Sequence, residues 1–297
     1  MSEPARPSIA VVIPVRNRPD VVRRAIRSVQ AQTVAVGSII VVDDASTDHT
    51  PAVIAALAQE DNRIWLIALD ERGGGAGARN RGIAAAGEDW IAFLDSDDEW
   101  LPDKLERQLA AVAQAGGAVA CFTGHYGASA TEPESVYRLP ATVSRRTLLG
   151  INVLSTTSSA LVRRATLIAV GGFDERLRSC QDWDLWIRLE AAGPLALISE
   201  PLVRFHQDGV DRITRDLAAV VAGHRAAFAK ILGGIADPVT RQKVRAMHRV
   251  RLAQIMAWDF DRNGAAVRQA LLALLYWPSR YKRDVLAHMW RRWRGRA

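Results

Sequence analysis

The chain has 297 residues, of which 49% are hydrophobic and 24% are charged, the composition of a soluble globular protein that can bury one large core. Its two cysteines exclude a disulfide framework and favour a reducing, cytoplasmic location. No apolar run approaches the roughly 20 residues that cross a bilayer, and the first residues lack the apolar core of a signal peptide.

The net charge of +7 is unevenly distributed along the chain. Residues 276–297 contain seven Lys or Arg and one Asp, so the remaining residues are close to neutral. A basic pI of this origin indicates a basic tail on an ordinary domain, and we expect no nucleic-acid partner.

Apolar runs alternate with helical patterns through the first 116 residues. The runs predict buried strands at 9–14, 38–44, 64–69 and 91–94. A helix is predicted after each of the first three strands and again from about Pro102. This alternation is typical of right-handed βαβ units, so the predicted fold is α/β, a Rossmann-like, mostly parallel sheet flanked by helices.

The pattern changes after Gly116. Further elements are predicted at 118–123 (strand), 160–170 (a strand and a helix), 181–192 (helix) and 201–205 (strand), with an irregular segment at 124–160. From Asp211 the chain is predicted to be helical, so we place a domain boundary at residue 210. Residues 1–210 would form the sheet domain, and 211–297 a helical C-terminal region with a basic, Trp-rich tail.

Three carboxylates directly follow the strand predicted at 91–94. Ligands of open α/β sheets bind at this carboxyl end of the strands. Only Ser96 separates Asp95 from Asp97, so in an irregular turn the two can converge on one hard cation, which takes oxygen ligands and is shared with phosphates. The alternative is a solvated acidic turn, continued by Asp98, before the next helix.

Two more carboxylates and an arginine belong to the same predicted edge. Asp43 and Asp44 close the second strand, where a carboxylate can accept the imide N–H of a uracil or thymine ring; alternatively they cap the following helix. Arg79 follows the glycine-rich loop at 73–77 and can contact a base carbonyl or a phosphate; alternatively it is a surface arginine. Like charges this close repel unless a cation or a donor offsets them.

The glycine-rich loop also supports a rival interpretation. A strand, a glycine-rich loop, a helix and a strand ending in Asp95 mimic a dinucleotide-binding unit, which would make the protein an NAD-type oxidoreductase. Against this, the glycines follow the third strand rather than the first and do not form the full fingerprint. The extra acids Asp97 and Asp98 would also repel a pyrophosphate.

Asp182 and His206 are the remaining candidates. On the helix predicted at 181–192, Asp182 shares a face with apolar and aromatic residues, while Asp184 points away. A carboxylate against an aromatic wall suits a general base; the alternative is an acid at the start of a core helix. His206 ends a late strand and could bind a metal or a phosphate, or simply be a satisfied polar partner.

Six motifs, in order along the chain, resemble those of the family 2 glycosyltransferases of the GT-A fold. They are 12–17 (VIPVRN), 41–48 (VVDDASTD), 77–82 (GARNRG), 93–98 (FLDSDD), 171–175 (GGFDE) and 181–186 (QDWDLW). The resemblance covers roughly two thirds of the chain. It implies that residues 1–210 form a GT-A domain that binds a nucleotide-sugar and carries out catalysis.

The resemblance also implies roles for individual residues. The implied nucleotide-binding set is Pro14, Val15, Arg16, Asp43, Asp44, Arg79, Asp95 and Ser96. Asp97 would bind Mn²⁺ or Mg²⁺ on the diphosphate; the place of His206 at the end of its strand makes it a candidate for a further metal ligand. Asp182 would be the general base of a single inverting displacement, in which it takes the proton of the acceptor hydroxyl.

Some features depart from the family pattern. Ala45 replaces the usual Gly, and Arg16 replaces the common Tyr or Phe. The Gln-x-x-Arg-Trp signature of processive synthases is absent, so we expect non-processive transfer from a nucleoside-diphosphate sugar, a UDP-sugar first of all, to a glycan or lipid-linked acceptor. The alternatives are the oxidoreductase and a catalytically inactive nucleotide-sugar-binding module.

The last residues suggest a membrane surface. In 278–297, Trp and Tyr alternate with Lys and Arg, and these residue types favour the headgroup region and an anionic leaflet. We hypothesise that the tail holds the protein peripherally on the cytoplasmic face of the cell membrane. The alternative is a helix that packs on the domain with a solvated basic end.

Overall fold

The structure, a computed structural model, describes residues 7–129, 134–154, 156–206 and 217–256, together with 265, 268–269 and 271–273. These residues form two compact units. The sheet unit contains the described residues of 1–142, 154–176 and 181–210, and the helical unit those of 143–153, 177–180 and 211–297. The predicted boundary at residue 210 falls within 207–216, outside the described residues, so that boundary stays a prediction.

The described strands of the sheet unit form one nine-stranded mixed sheet. They are β1 (Ile9–Val15), β2 (Ser38–Asp43), β3 (Ile64–Ala68), β4 (Trp90–Phe93), β5 (Glu99–Trp100), β6 (Ala120–Ala128), β7 (Ser135–Tyr137), β8 (Leu161–Arg163) and β9 (Leu195–His206). Helices flank this sheet, namely α1 (Pro19–Gln30), α2 (Thr50–Glu60), α3 (Gly74–Ala85), α4 (Lys104–Gln114), α6 (Arg164–Ala169) and α7 (Gln181–Ala192). This architecture confirms the predicted α/β class.

The order of the strands is β3-β2-β1-β4-β8-β6-β9-β5, and β7 pairs with β6. The four strands β1 to β4 are parallel to one another, as the βαβ pattern predicted. Beyond them β8 lies antiparallel between β4 and β6, and β6 pairs in parallel with β9. The parallel half therefore brings the carboxyl ends of β1, β2 and β4 to one edge, where the ligands of such sheets bind.

Burial explains why the parallel strands are continuous apolar runs. Every residue of β2 is buried, and so is all of β1 except the partly buried Pro14, because helices cover both faces of the sheet. The helix α3 lies close to β1, since a Cβ at Gly82 would overlap the side chain of Val12. This contact fixes how α3 presents its first turn at the sheet edge.

Two strands are longer than predicted. The strand β6 continues to Ala128 and β9 begins at Leu195, and their pairing shifts register on both sides of Gly124. A Cβ at Gly124 would overlap the carbonyl oxygen of Tyr137, so this crossing needs glycine. Glycine, histidine and tyrosine broke the apolar pattern here, which is why 124–128 was predicted as irregular.

The helical unit contains α5 (Arg145–Gly150), α8 (Leu217–Gly233) and α9 (Pro238–Gln254). In its interior, the His248 ring stacks on Phe228 at 3.8 Å between centroids, and its Nε2 donates to the Leu149 carbonyl oxygen at 2.9 Å. Burial lowers the pKa of His248 to about 4, which keeps the ring neutral. No helix among the described residues is long and apolar enough to cross a bilayer. The tail at 278–297 lies outside the described residues.

Candidate active site

The loops that follow β1 and β2 are tied together. Asn17 and Ala45 both have left-handed backbone, with φ of 50° and 54°. The Asn17 side-chain oxygen accepts from Thr47 N–H at 2.8 Å, and Asn17 N–H donates to Ser46 Oγ at 2.9 Å. The carboxylate of Asp43 in turn accepts from the backbone N–H and the hydroxyl of Ser46. Asp43 therefore stabilises both loops through Ser46.

Asp44 holds the start of α3. Its buried carboxylate accepts from the backbone N–H groups of Gly73, at 2.6 Å, and Gly74, at 3.0 and 3.1 Å to its two oxygens. Asp44 thus positions the glycine-rich loop from the end of the neighbouring strand. The two N–H groups that could cradle a pyrophosphate already bind a carboxylate, which argues against the dinucleotide interpretation.

The end of β1 lies beside Asp43 and Asp44. Val15 pairs with Asp43 across β1 and β2, and its carbonyl oxygen accepts from Asp44 N–H at 2.9 Å. Arg16 follows, half-buried, and among the described residues its buried Nε has no hydrogen-bond partner. A buried guanidinium donor without a partner is costly unless a ligand or water satisfies it.

Arg79 and Asp95 form an ion pair across the sheet edge. Arg79, in the first turns of α3, is 12% exposed, and its guanidinium carbon lies 5.5 Å from the centroid of the Phe173 ring, within the range of a cation–π contact. Its Nε is a second buried donor without a partner among the described residues. A Cβ at Gly75 would lie 2.9 Å from Arg79 Nη1 and 3.9 Å from Gln181 Oε1, so α7 begins beside this ion pair.

The acidic loop, Asp95–Glu99, is held by two more arginines. Arg18 Nη1 lies 2.8 Å from Asp97 Oδ2. Arg24 donates to the backbone oxygen of Asp97 at 2.8 Å and contacts the Glu99 carboxylate at 3.0 Å. Three carboxylates of the loop, Asp95, Asp97 and Glu99, thus each face an arginine from another part of the chain, which offsets their mutual repulsion.

Ser158 supports the acidic loop from below. Its hydroxyl donates to Asp98 Oδ2 at 2.6 Å and accepts from Asp95 N–H at 3.0 Å. Its carbonyl oxygen accepts from Trp100 Nε1 at 2.8 Å. Asp98 is fully buried, and burial, followed by the charges of Asp95 and Asp97, raises its pKa well above the usual range. Sequence reasoning missed Ser158, although the run of hydroxyl residues at 155–159 was a usable signal.

His206 comes close to the acidic loop, as expected for the end of β9. Its Nε2 lies 2.7 Å from Glu99 Oε1, and its backbone N–H donates to Asp98 Oδ1 at 3.3 Å. Among the described residues, no group of three or more His, Cys, Asp or Glu side chains could hold a metal ion by itself. The donor set suits Mg²⁺ or Mn²⁺ bound by one carboxylate, Asp97, because such ions take their remaining ligands from substrate phosphates and water.

The two acids of α7 have different surroundings. Asp182 is half-buried in the first turn, where the helix end stabilises a carboxylate. The prediction that Asp184 points away from the buried face is wrong, because its carboxylate is buried against Arg188, with contacts of 2.7 and 3.0 Å. Arg188 also donates to the Val170 carbonyl oxygen at 2.7 Å, so this pair anchors α7 to the end of α6.

Asn80, which sequence reasoning left without a role, fixes the loop before α7. Its side-chain oxygen accepts from Phe173 N–H, and its amide donates to the Phe173 carbonyl oxygen, both at 2.9 Å, and to Glu175 at 2.8 Å. Gly172 has φ of 62°, and a Cβ there would lie 2.6 Å from the Asn80 side-chain oxygen. Asn80 therefore places the Phe173 ring against Arg79.

This mixed sheet, with its acidic loop at the carboxyl end of β4, is that of a GT-A glycosyltransferase, and the comparisons with known proteins agree. The family model described as "Glycosyl transferase family 2" matches residues 10–171, and that described as "Glycosyltransferase like family 2" matches residues 135–208. The chain belongs to glycosyl transferase family 2.

The relatives of this chain include a succinoglycan biosynthesis protein and a glucosyltransferase. The succinoglycan biosynthesis protein ExoO of Rhizobium meliloti is 46% identical over 38% of this chain and 32% of its own length. The Escherichia coli enzyme WfgD, named as a UDP-Glc:alpha-D-GlcNAc-diphosphoundecaprenol beta-1,3-glucosyltransferase, is 39% identical over 34% of this chain and 39% of its own length. The chain therefore spans about a third of the length of these curated relatives.

Solved structures share the fold at low sequence identity. Residues 1–349 of Staphylococcus aureus TarS, in complex with UDP-GlcNAc, give a TM-score of 0.68 at 16% identity, over 95% of this chain and 89% of that one. The mannosyltransferase PcManGT of Pyrobaculum calidifontis, in complex with GDP-Man and Mn²⁺, gives 0.59 at 19% identity, over 96% and 80%.

Proposed function

We propose that this protein transfers a sugar from a nucleoside-diphosphate sugar, with UDP as the nucleotide, to a hydroxyl of a glycan or lipid-linked acceptor. The observation that carries the proposal is a convergence at one sheet edge. Asp44, Asp95 and Asp97 meet there with Arg16 and Arg79, whose buried Nε donors have no hydrogen-bond partner among the described residues. A nucleotide offers acceptor oxygens for such donors and an imide N–H for a carboxylate.

Different residues would bind different parts of the donor. Pro14 to Arg16, Asp44 and Arg79 would surround the base, and Asp43 would shape that pocket through Ser46. Asp95 and Ser96 would lie near the ribose and the phosphates. The structure of TarS with UDP-GlcNAc supports UDP, whereas the GDP-Man complex of PcManGT shows that the fold also accepts another base.

A divalent cation would be bound by Asp97. When bound, Mn²⁺ or Mg²⁺ supplies a Lewis acid that offsets the charge developing on the departing diphosphate. His206 would complete the protein side of this site, and its contact with Glu99 supports that role, because metal-binding histidines commonly donate their other N–H to a carboxylate. The complex of PcManGT with Mn²⁺ is consistent with a metal of this kind.

Asp182 would be the general base. It is half-buried in the first turn of α7, next to Gln181, which lies beside the Arg79–Asp95 pair. Asp184 is buried, whereas Asp182 is partly exposed, so Asp182 is the candidate that an acceptor hydroxyl could reach. Asp182 would accept the proton of the acceptor hydroxyl. The hydroxyl oxygen would at the same time attack the anomeric carbon and the bond from that carbon to the diphosphate would break, which inverts the configuration of the carbon.

The acceptor and location follow from the relatives rather than from the site. ExoO is named for succinoglycan biosynthesis, and WfgD for transfer to a diphosphoundecaprenol-linked sugar. We infer a place in cell-surface polysaccharide synthesis, on the cytoplasmic side of the membrane. The tail at 278–297 would attach the protein to anionic lipid, which co-sedimentation with vesicles would test using the full chain and a form that ends at Trp277.

A nucleotide screen tests the proposal directly. We expect UDP to raise the melting temperature more than GDP, dTDP or NAD, and Mn²⁺ to enlarge the shift, because a ligand that binds only the folded state stabilises it. A shift with NAD that needs no metal would favour the oxidoreductase instead. Nucleotide binding without release of UDP from any UDP-sugar would favour the inactive binding module.

A further inference from the structure

We propose that Arg18 exchanges Asp97 for the diphosphate when the donor and metal bind, so that it couples nucleotide binding to metal binding. This inference rests on the proposed function. In the structure Arg18 Nη1 lies 2.8 Å from Asp97 Oδ2 and 3.5 Å from Ser96 Oγ. A cation that binds the Asp97 carboxylate therefore competes with a guanidinium that already contacts it.

The backbone of Arg18 is held by hydrogen bonds, whereas its side chain is partly exposed to solvent. Its N–H donates to Thr50 Oγ1 at 2.9 Å, and its carbonyl oxygen accepts from Val22 N–H at 3.2 Å in the first turn of α1. The side chain is 25% exposed, about twice the value of 12% for Arg79. A long side chain on an anchored backbone can change partners without disturbing the fold.

Contacts other than those of Arg18 hold the main chain of the acidic loop. Arg24 donates to the backbone oxygen of Asp97, and Ser158 accepts from Asp95 N–H. Both contacts hold the main chain rather than the carboxylate that would bind the metal. Arg18 can therefore leave Asp97 while the loop stays in place, which is what an exchange requires.

Charge gives the direction of the exchange. Asp97 lies between other carboxylates, and Arg18 offsets that repulsion. A divalent cation would replace the single charge of Arg18 with a double charge, and the diphosphate offers the planar guanidinium that is released an anionic partner for two parallel hydrogen bonds. Metal alone must displace Arg18 without compensation, whereas metal with nucleotide gives Arg18 a new partner. The two ligands therefore favour each other's binding, and this coupling is reciprocal.

Calorimetric titration of Mn²⁺ and of UDP separates Arg18 from a general charge effect. The variants are Arg18→Gln, Arg18→Lys and Arg23→Gln; Arg23 is an exposed residue of α1, so its loss removes the same charge away from the loop. In Arg18→Gln we expect Mn²⁺ without nucleotide to bind roughly twofold to fivefold more tightly, as for a partly exposed ion pair. UDP in the presence of Mn²⁺ should bind more weakly by a similar factor.

The test depends on the opposite signs of the changes in Mn²⁺ affinity and in UDP affinity. Arg18→Lys should fall between the wild type and Arg18→Gln, and Arg23→Gln should match the wild type. If Arg18→Gln weakens both ligands, or changes Mn²⁺ affinity no more than Arg23→Gln, the exchange is wrong while the proposed function stands. If the wild type binds no UDP with Mn²⁺, the proposed function itself fails and the exchange fails with it.

Discussion

Two regions of the sheet unit differ in the partners and the solvent exposure of their charged side chains. At the site edge, defined by Asp43, Asp44 and the acidic loop, three carboxylates face arginines, and Asp95 and Asp97 keep 26% and 15% of their side chains exposed. The second region, which we call the α4 layer, consists of Lys104, Gln108 and Trp100, and Lys104 is fully buried in it. Its Nζ donates to Gln108 at 2.8 Å and lies 4.1 Å from the Trp100 ring centroid, and among the described residues it forms no ion pair.

From this difference we expect the charges of the site edge to affect function and the charge of the α4 layer to affect stability. Charges at the site edge meet partners that a ligand can replace, so their loss should alter binding and turnover. The charge in the α4 layer is sealed from water, and burial lowers the pKa of Lys104 to about 7. No ligand reaches it, so its effect should appear in folding. Each prediction below tests that separation, beginning with the largest effect.

Asp182→Asn should reduce turnover by about 10²- to 10⁴-fold, the usual contribution of a general base, and leave UDP affinity unchanged. The reason is that Asp182 would act on the acceptor rather than on the donor. The measurement is UDP release from a UDP-sugar in the presence of an acceptor, alongside calorimetric UDP binding.

Asp184→Asn is the matched control in the same turn of α7. It should lower the melting temperature, because it breaks a buried pair with Arg188, and should leave turnover per folded molecule close to that of the wild type. Near wild-type turnover in Asp182→Asn, with loss in Asp184→Asn, would reverse the assignment of the base.

Lys104 should make the free energy of unfolding rise between pH 7 and 9. Its pKa of about 7 in the folded chain is below its ordinary value of 10.5, so in this window the unfolded chain binds more protons, and stability increases with pH. At about 1.4 kcal/mol per pH unit, the rise is roughly 2–3 kcal/mol. Above pH 9 Cys121 opposes it, since burial raises its pKa to about 12.

Lys104→Met removes this titration and should flatten the rise. Denaturant unfolding of both proteins at several pH values measures the difference. Metal-dependent UDP affinity should be the same in both. An equal slope in both proteins, or a loss of nucleotide binding in Lys104→Met, would break the separation between the two regions.

Asn80→Ala should destabilise the fold by about 1–3 kcal/mol, because it leaves the backbone N–H and carbonyl oxygen of Phe173 unpaired. It should also weaken UDP binding, since Phe173 lies against Arg79. Chemical denaturation and calorimetry measure the two effects. A stability loss with unchanged UDP affinity would remove Asn80 from the site edge and leave it a structural residue.

Ala45→Gly should have the smallest effect, a stabilisation of up to about 1 kcal/mol, because the φ of 54° at Ala45 favours glycine. Thermal unfolding checks the sign. A destabilised variant would mean that the extra conformational entropy of glycine in the unfolded chain outweighs the relief of backbone strain in the loop between β2 and α2.

The parallel half of the fold was predictable because its strands are buried on both faces and appear as plain apolar runs. The same pattern placed Asp43, Asp44, Asp95 and Asp97 at one edge. The contacts that organise this edge did not follow from that pattern, because Arg18, Asn80 and Ser158 reach it from distant segments and carry no periodic signal; the hydroxyl run at 155–159 was the one usable signal, and it names no partner. The polar end of β6 was missed for a related reason, since Gly124 and its neighbours interrupt the apolar pattern.

Metal-dependent binding of UDP through Asp97 is the central claim, and one titration tests it most directly. UDP is titrated by calorimetry into the wild type, Asp97→Ala and Asp103→Ala, each with Mn²⁺ and with EDTA; Asp103 is an acid outside the loop with a side chain 48% exposed. We expect Mn²⁺ to tighten UDP binding by roughly tenfold in the wild type and Asp103→Ala, and to have no effect in Asp97→Ala. Equal affinity of the wild type for UDP in Mn²⁺ and in EDTA would contradict the claim.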